Sequence, residues 1–74
     1  MTLRKYTLRV AGATTSLSVD EEFWNGLKEI ASEKQVNVTT LVNEINSARQ
    51  SPNLSAAVRI FVIEHFIKRS RGHL

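Results

Sequence analysis

The first part of the chain alternates apolar and polar residues with the period of a β-strand. Residues 6–10 read Tyr-Thr-Leu-Arg-Val, and residues 14–19 read Thr-Thr-Ser-Leu-Ser-Val. The second run therefore predicts a strand over 14–19. The first run leaves two alternatives for residues 1–11. They form either an extra strand of a hairpin, with Leu8 opposite Leu17 across a four-residue loop, or an arm outside the sheet.

Three segments with helical periodicity follow. Helix one is predicted over residues 21–35, because Asp20 is an N-cap residue type and two glutamates after it favour the positive end of the helix dipole. Helix two is predicted over 38–49 after Asn37, another capping residue type. Helix three is predicted over 54–69, where a proline and an asparagine precede the apolar pattern.

The third helix carries two apolar stripes. Its first stripe faces the predicted core, whereas Ile60, Ile63 and Ile67 lie on nearly the opposite side. A helix buried only within its own subunit would leave these isoleucines in water. They are predicted to form a higher-order interface, which holds either a second dimer in a tetramer or a protein partner. The alternative is that they are tolerated surface residues.

The size of the chain predicts a single domain spanning residues 1–74 that is completed by dimerisation. Hydrophobic residues make up 42% and charged residues 23% of the 74 residues, which is typical of a folded domain. A domain this small buries only about 60% of its unfolded surface, and without cysteine it has no disulfides. We therefore expect a homodimer. No segment resembles a secretion signal or a membrane span, so a cytoplasmic location is expected.

The charge of the chain is unevenly distributed. Residues 1–19 carry Arg4, Lys5 and Arg9 and no acid, residues 20–52 carry six acids and three bases, and residues 53–74 carry four bases and one acid. In a dimer the two basic N-termini would combine into one cationic face that suits a nucleic-acid backbone. The alternative is a basic surface that serves solubility alone.

Residues with catalytic potential are few. His65 and His73 are the only histidines, and neither is near a carboxylate or serine in an arrangement typical of a triad. No cysteine or histidine accompanies the acids at the start of helix one to form a transition-metal site, and the glycines form no phosphate-binding loop. We therefore expect no enzyme, no cofactor and no metal.

Two stretches resemble one known family. Residues 15–24, TSLSVDEEFW, and residues 36–42, VNVTTLV, are similar to the ribbon-helix-helix family, the fold of the Arc and MetJ repressors. The resemblance covers about residues 14–49, and it extends further in short bacterial members that have a third helix. It implies a mainly α fold with a short N-terminal β-ribbon, arranged as an intertwined homodimer with a third C-terminal helix.

The resemblance also implies roles for individual residues. In this family one strand from each subunit pairs into a ribbon whose outward side chains contact bases, which here are Thr14, Ser16 and Ser18. The alternative is that these three are simply a solvated strand face. The phosphate contacts implied lie at the start of helix two: Asn37, Val38, Thr39 and Thr40. The basic charge of residues 1–19 separately predicts phosphate contacts by Arg4, Lys5 and Arg9. Asn37 serves equally well as an ordinary cap. The implied dimer core is Leu17, Val19, Phe23, Trp24, Leu27, Leu41, Val42 and Ile45.

The function implied is that of a sequence-specific DNA-binding transcriptional regulator, a repressor, whose partners are double-stranded DNA and a second copy of itself. The alternative is a dimeric protein-interaction module or an antitoxin-like protein that holds a partner through helix three.

Overall fold

A computed structural model describes residues 2–71 of the chain. A two-stranded antiparallel sheet comes first and three helices follow. The elements are β1 (Leu3–Val10), β2 (Ala13–Asp20), α1 (Glu21–Lys34), α2 (Val38–Ala48) and α3 (Leu54–Arg71). The architecture is the mainly helical one with an N-terminal β-ribbon that the sequence predicts.

The two strands form a hairpin, so residues 3–10 are a strand and not an arm. The predicted register is wrong. Leu8 pairs with Thr15, and Leu17 pairs with Tyr6, which is a shift of two residues from the expected Leu8–Leu17 pair. Because side chains alternate with period two, this shift leaves every side chain on the face that was predicted for it.

A tight turn explains the register. Ala11 and Gly12 are the only two residues between the strands, and both have positive φ, at 52° and 82°. Two consecutive positive φ values define a type I′ turn, whose twist matches that of the strands. Alanine rarely adopts this conformation, so the Ala11-Gly12 pair does not indicate a type I′ turn from its residue types.

Capping side chains explain where α2 and α3 begin. The side chain of Asn37 accepts a hydrogen bond of 2.8 Å from the Thr40 N–H, and that of Asn53 accepts one of 2.9 Å from the Ser55 N–H. Asp20 occupies the N-cap of α1 but its side chain makes no capping hydrogen bond. Such bonds satisfy amides that the helix itself leaves without acceptors.

The core lies between the hairpin and the helices. α3 packs against α1, α2 and β2, and α2 also packs against β1. Most of the residues predicted for a dimer core are buried here within one chain: Leu17, Val19, Leu27, Leu41, Val42 and Ile45. Phe23 and Trp24 are half-buried against the same core. The reason is α3, which supplies Ala57, Val58 and Val62 as cover. A role of these side chains in a dimer stays a prediction.

Candidate nucleic-acid interface

One face of the hairpin points away from the helices. Strand alternation places polar side chains from both strands on it, opposite the face that carries Leu17 and Val19 into the core. We call this set the outer ribbon face, and its members are Lys5, Thr7, Arg9, Thr14, Ser16 and Ser18. Ser18 is partly buried and the other five side chains are exposed.

The outer ribbon face brings two predicted groups together. In the register of the hairpin, Lys5 lies opposite Ser18 and Arg9 lies opposite Thr14. The cations predicted to contact phosphate therefore stand beside the hydroxyls predicted to contact bases. Thr7, opposite Ser16, was not among the predicted site residues. The alternation of polar and apolar residues in β1 places Thr7 on the same face as Lys5 and Arg9. This inference requires that residues 3–10 form a strand, which the sequence alone left open.

Arg4 lies elsewhere. It pairs with Val19 across the hairpin and so belongs to the opposite face, at the end of the strand. Its Nε donates a hydrogen bond of 3.0 Å to Oε2 of Glu21, and both side chains are about half exposed. The structure therefore separates Arg4 from Lys5 and Arg9, and a phosphate contact by Arg4 stays a prediction.

Asn43 on α2 holds the turn of the ribbon in place. Its Nδ2 donates to the Arg9 carbonyl at 2.9 Å and to the Thr39 carbonyl at 2.8 Å, and its Oδ1 accepts from the Ala11 N–H at 2.9 Å. One side-chain amide thus links the hairpin to the first turns of α2. No local pattern in the sequence connects Asn43 to a strand 34 residues away.

The far edge of β2 has unpaired backbone groups. The Arg9 carbonyl accepts from Asn43 and therefore points away from β2, so Arg9 and Thr14 are a non-hydrogen-bonded pair of the ladder. Because such pairs alternate with hydrogen-bonded ones, the backbone N–H and C=O of Thr14, Ser16 and Ser18 point away from β1. Within the described part of the chain the sheet has only two strands, so this edge is open.

The start of α2, which is predicted to contact phosphate, has some of its backbone amides occupied. The Thr40 N–H is occupied by the side chain of Asn37, and the Leu41 N–H by the carbonyl of Asn37. The amides of Val38 and Thr39 have no acceptor within residues 2–71. Two backbone donors are therefore left at the positive end of the helix dipole.

His65 lies next to a carboxylate of another helix. Its Nε2 is 3.3 Å from Oε1 of Glu33, and Arg69 makes ion pairs with Glu33 at 3.0 Å and with Glu29 at 3.5 Å. These contacts join α1 to α3 across the helix interface, which sequence spacing does not reveal. His73 lies outside the described residues.

Residues 2–71 contain no group of three or more potential metal ligands. None of the helices described there has the length and apolar character that a membrane crossing requires.

Comparisons with known proteins define the class. A family profile described as a ribbon-helix-helix domain matches residues 3–66, and the chain therefore belongs to the ribbon-helix-helix family. Members of this family dimerise and bind DNA as regulators. The chain is also similar to a solved structure, that of an uncharacterized protein from Bordetella pertussis Tohama I, with a TM-score of 0.84 and 22% sequence identity.

At this level of identity the likeness shows the fold alone. The match covers 99% of this chain but only 62% of that one, so the chain spans less than two thirds of its relative's length. A search of curated proteins finds no match.

Proposed function

We propose that the protein is a sequence-specific DNA-binding transcriptional regulator, a repressor, which reads the major groove with a ribbon formed by two copies of the chain. The observation that carries this proposal is the outer ribbon face, where the exposed Lys5 and Arg9 lie opposite the partly buried Ser18 and the exposed Thr14. Cationic side chains bind phosphate, and hydrogen-bond donors and acceptors bind base edges. This face carries both kinds of group.

The open edge of β2 supports the dimer. An edge strand with a row of free N–H and C=O groups is a template for another strand. Antiparallel pairing of β2 with its copy would give a four-stranded sheet with the two β2 strands in the centre and a β1 strand on each side. Pairing of ribbon strands between subunits is also the family's own arrangement.

The width of that sheet assigns different roles to its strands. With strands spaced by about 4.8 Å, the two β1 strands are separated by about 14 Å, whereas the major groove is about 12 Å wide. The central β2 pair therefore enters the groove, and the β1 strands lie over its two rims. The rims are the phosphate backbones, so Lys5 and Arg9 on β1 contact phosphate while Thr14, Ser16 and Ser18 on β2 reach the bases.

The start of α2 adds a second phosphate contact to the proposal. The free amides of Val38 and Thr39 lie one helical turn before Asn43, whose side chain binds both the Thr39 carbonyl and the ribbon turn. A phosphate bound at this helix end would therefore be held in a defined position relative to the ribbon.

The protein so proposed is a regulator and not a catalyst. It needs no metal or cofactor, and a bacterial cytoplasm is where its DNA target would be. The second candidate is a module that holds a protein partner through α3, in the manner of an antitoxin. The exposed side chains of Ile60, Ile63 and Ile67 favour it.

Selection from a random-sequence duplex library tests the proposal. The full chain should enrich a short paired motif whose two halves are related by the symmetry of a dimer. Fluorescence anisotropy on that duplex should then show tighter binding than on a scrambled one by at least about a thousandfold. Enrichment of no motif, together with equal affinity for both duplexes, would reject sequence-specific regulation and favour the partner-binding module.

A further inference from the structure

One side of α3 is apolar although it faces solvent. Ile60, Ile63 and Ile67 are 51%, 47% and 47% exposed, and Leu3 on the hairpin is the other large hydrophobic residue in the described chain that is exposed to this degree. Ala56, partly buried, extends the row by one turn. We call Ala56 and the three isoleucines the α3 stripe. Natural surfaces tolerate single apolar side chains, but an aligned row of them indicates an interface.

The chain's own domain does not cover this stripe. α3 turns Ala57, Val58 and Val62 into the core, and Val62 and Phe66 pack on Gly26 of α1. With successive residues about 100° apart, the α3 stripe is centred on the side of the helix opposite these contacts. Residues 2–71 therefore leave this stripe free to receive a partner.

We infer that the partner is a second copy of this chain and that the two α3 helices pack in parallel through their stripes. Residues 56, 60, 63 and 67 are separated by four, three and four positions, which is the spacing of a helix-pairing seam. In parallel packing each of these side chains meets its own counterpart, so the two rows match over their whole length.

Charges beside the stripe favour a second copy and this orientation. Arg59 and Glu64 lie on opposite flanks of the stripe, both exposed, and neither has an ion-pair partner within residues 2–71. Parallel packing places Arg59 of one chain beside Glu64 of the other, twice by symmetry, as in the flanking pairs of coiled coils. In antiparallel packing each flank would face its own copy, so Arg59 would have no acidic partner.

The proposed α3 interface is short, so it forms when two chains are already held close together. The stripe from residue 56 to residue 67 extends over about 17 Å of helix, so it forms only about three turns of contact. It shares no residue with the edge of β2, and two different self-complementary surfaces on one chain join dimers into larger assemblies. Ribbon dimers on adjacent DNA sites would present their α3 helices to each other at high effective concentration.

Disulfide trapping tests the contact directly, because the native sequence contains no cysteine. In a full chain carrying Ile63→Cys, parallel packing brings the two thiols within the span of a disulfide. A control chain carries Lys28→Cys, an exposed position on α1. We expect Ile63→Cys to form dimers at least about ten times faster than the control under the same oxidant, because the two thiols have a raised effective concentration. Equal rates would overturn the proposal.

A mixing experiment tests the orientation. When Ile60→Cys and Ile63→Cys chains are mixed, parallel packing favours disulfides between identical positions. A 60–63 disulfide that forms faster than the 63–63 disulfide would overturn the parallel arrangement.

Charge reversal tests the same contact without cross-linking. Arg59→Glu or Glu64→Arg alone should weaken the association by about fivefold for each ion pair removed, measured by sedimentation equilibrium, and the double variant should restore it. Ile63→Lys should abolish it, whereas Leu3→Lys, an equal change outside α3, should not. Failure of the double variant to restore association would reject the proposed pairing. DNA binding by single dimers should survive Ile63→Lys, so this result is independent of the proposed function.

Discussion

The side-chain carbonyl of Asn43 accepts a hydrogen bond of 2.9 Å from the backbone N–H of Ala11, 32 residues earlier in the chain. The same side chain donates to the Arg9 carbonyl, so one amide group binds both ends of the strand-to-turn junction. A backbone amide in a turn and a carbonyl on an open strand edge would otherwise need water. This contact fixes the tip of the ribbon relative to α2, and therefore relative to the two free amides at the start of that helix.

The first prediction removes this contact. Asn43→Ala should lower the free energy of unfolding by about 2 kcal/mol. The variant loses two hydrogen bonds to the hairpin, and the Ala11 N–H and Arg9 carbonyl are left without a protein partner. Asn25→Ala is the matched control, since Asn25 is exposed on α1 and its replacement should change stability by less than about 0.5 kcal/mol. Urea unfolding measures both variants. Equal stabilities would show that Asn43 does not hold the hairpin.

The second prediction concerns the turn. Ala11 has φ 52°, a conformation that asparagine and glycine adopt more easily, and a type I′ turn favours Asn-Gly. Ala11→Asn should therefore raise the free energy of unfolding by about 0.5–1 kcal/mol, whereas Gly12→Val should lower it by at least about 1 kcal/mol. Thermal unfolding monitored by circular dichroism gives both values. A destabilised Ala11→Asn variant would contradict the two-residue turn and favour a longer loop.

The third prediction concerns the packing of α1 on α3. A Cβ atom at Gly26 would lie 3.0 Å from Cγ1 of Val62 and 3.3 Å from Cε2 of Phe66. Alanine gains about 1 kcal/mol of helix propensity over glycine, but overpacking costs about 1–3 kcal/mol. Because Val62 is buried and β-branched, the steric cost should exceed the gain.

Unfolding experiments check this balance. Gly26→Ala should be less stable than the native chain by about 1 kcal/mol and Gly26→Leu by more than about 2 kcal/mol. Asn25→Ala on the same helix gains propensity without a clash and serves as the control. A stabilised Gly26→Ala chain would mean that α3 moves aside to accommodate a methyl group.

The fourth prediction separates the cations of the ribbon by their position. Lys5→Ala and Arg9→Ala should each reduce the slope of log affinity against log salt by about two for a dimer, because each copy gives up one phosphate contact. Arg4→Ala should change the slope less, because Arg4 lies off the outer ribbon face and is paired with Glu21. Anisotropy titrations over a salt series measure all three. Equal slopes for the three variants would indicate attraction by net charge alone.

The accuracy of sequence-based prediction differed between parts of the molecule for physical reasons. The starts of α2 and α3 follow from Asn37 and Asn53, whose capping bonds are local and therefore visible as a residue type before an apolar pattern. Strand parity was equally accessible, because the buried Leu17 and Val19 alternate with hydroxyl residues. Both features depend on neighbours a few positions apart.

Contacts between distant segments were not accessible. The register of the hairpin depended on Ala11 adopting a positive φ that its residue type rarely shows. The approach of His65 to Glu33, and of Asn43 to the hairpin, spans more than thirty residues in each case. The burial of Leu17 by its own chain depends on where α3 packs. Such relationships arise from tertiary packing, and no periodicity in the sequence encodes them.

The most direct test of the central claim is the discrimination ratio of a chain in which Thr14, Ser16 and Ser18 are all replaced by alanine. Fluorescence anisotropy would compare its affinity for the selected duplex with that for a scrambled one. We predict that the preference falls by about 1 kcal/mol for each hydroxyl that no longer reaches a base, with the salt slope and the oligomeric state unchanged. An unchanged preference for the selected duplex would contradict the account, because the outer ribbon face would then not be the surface that reads DNA.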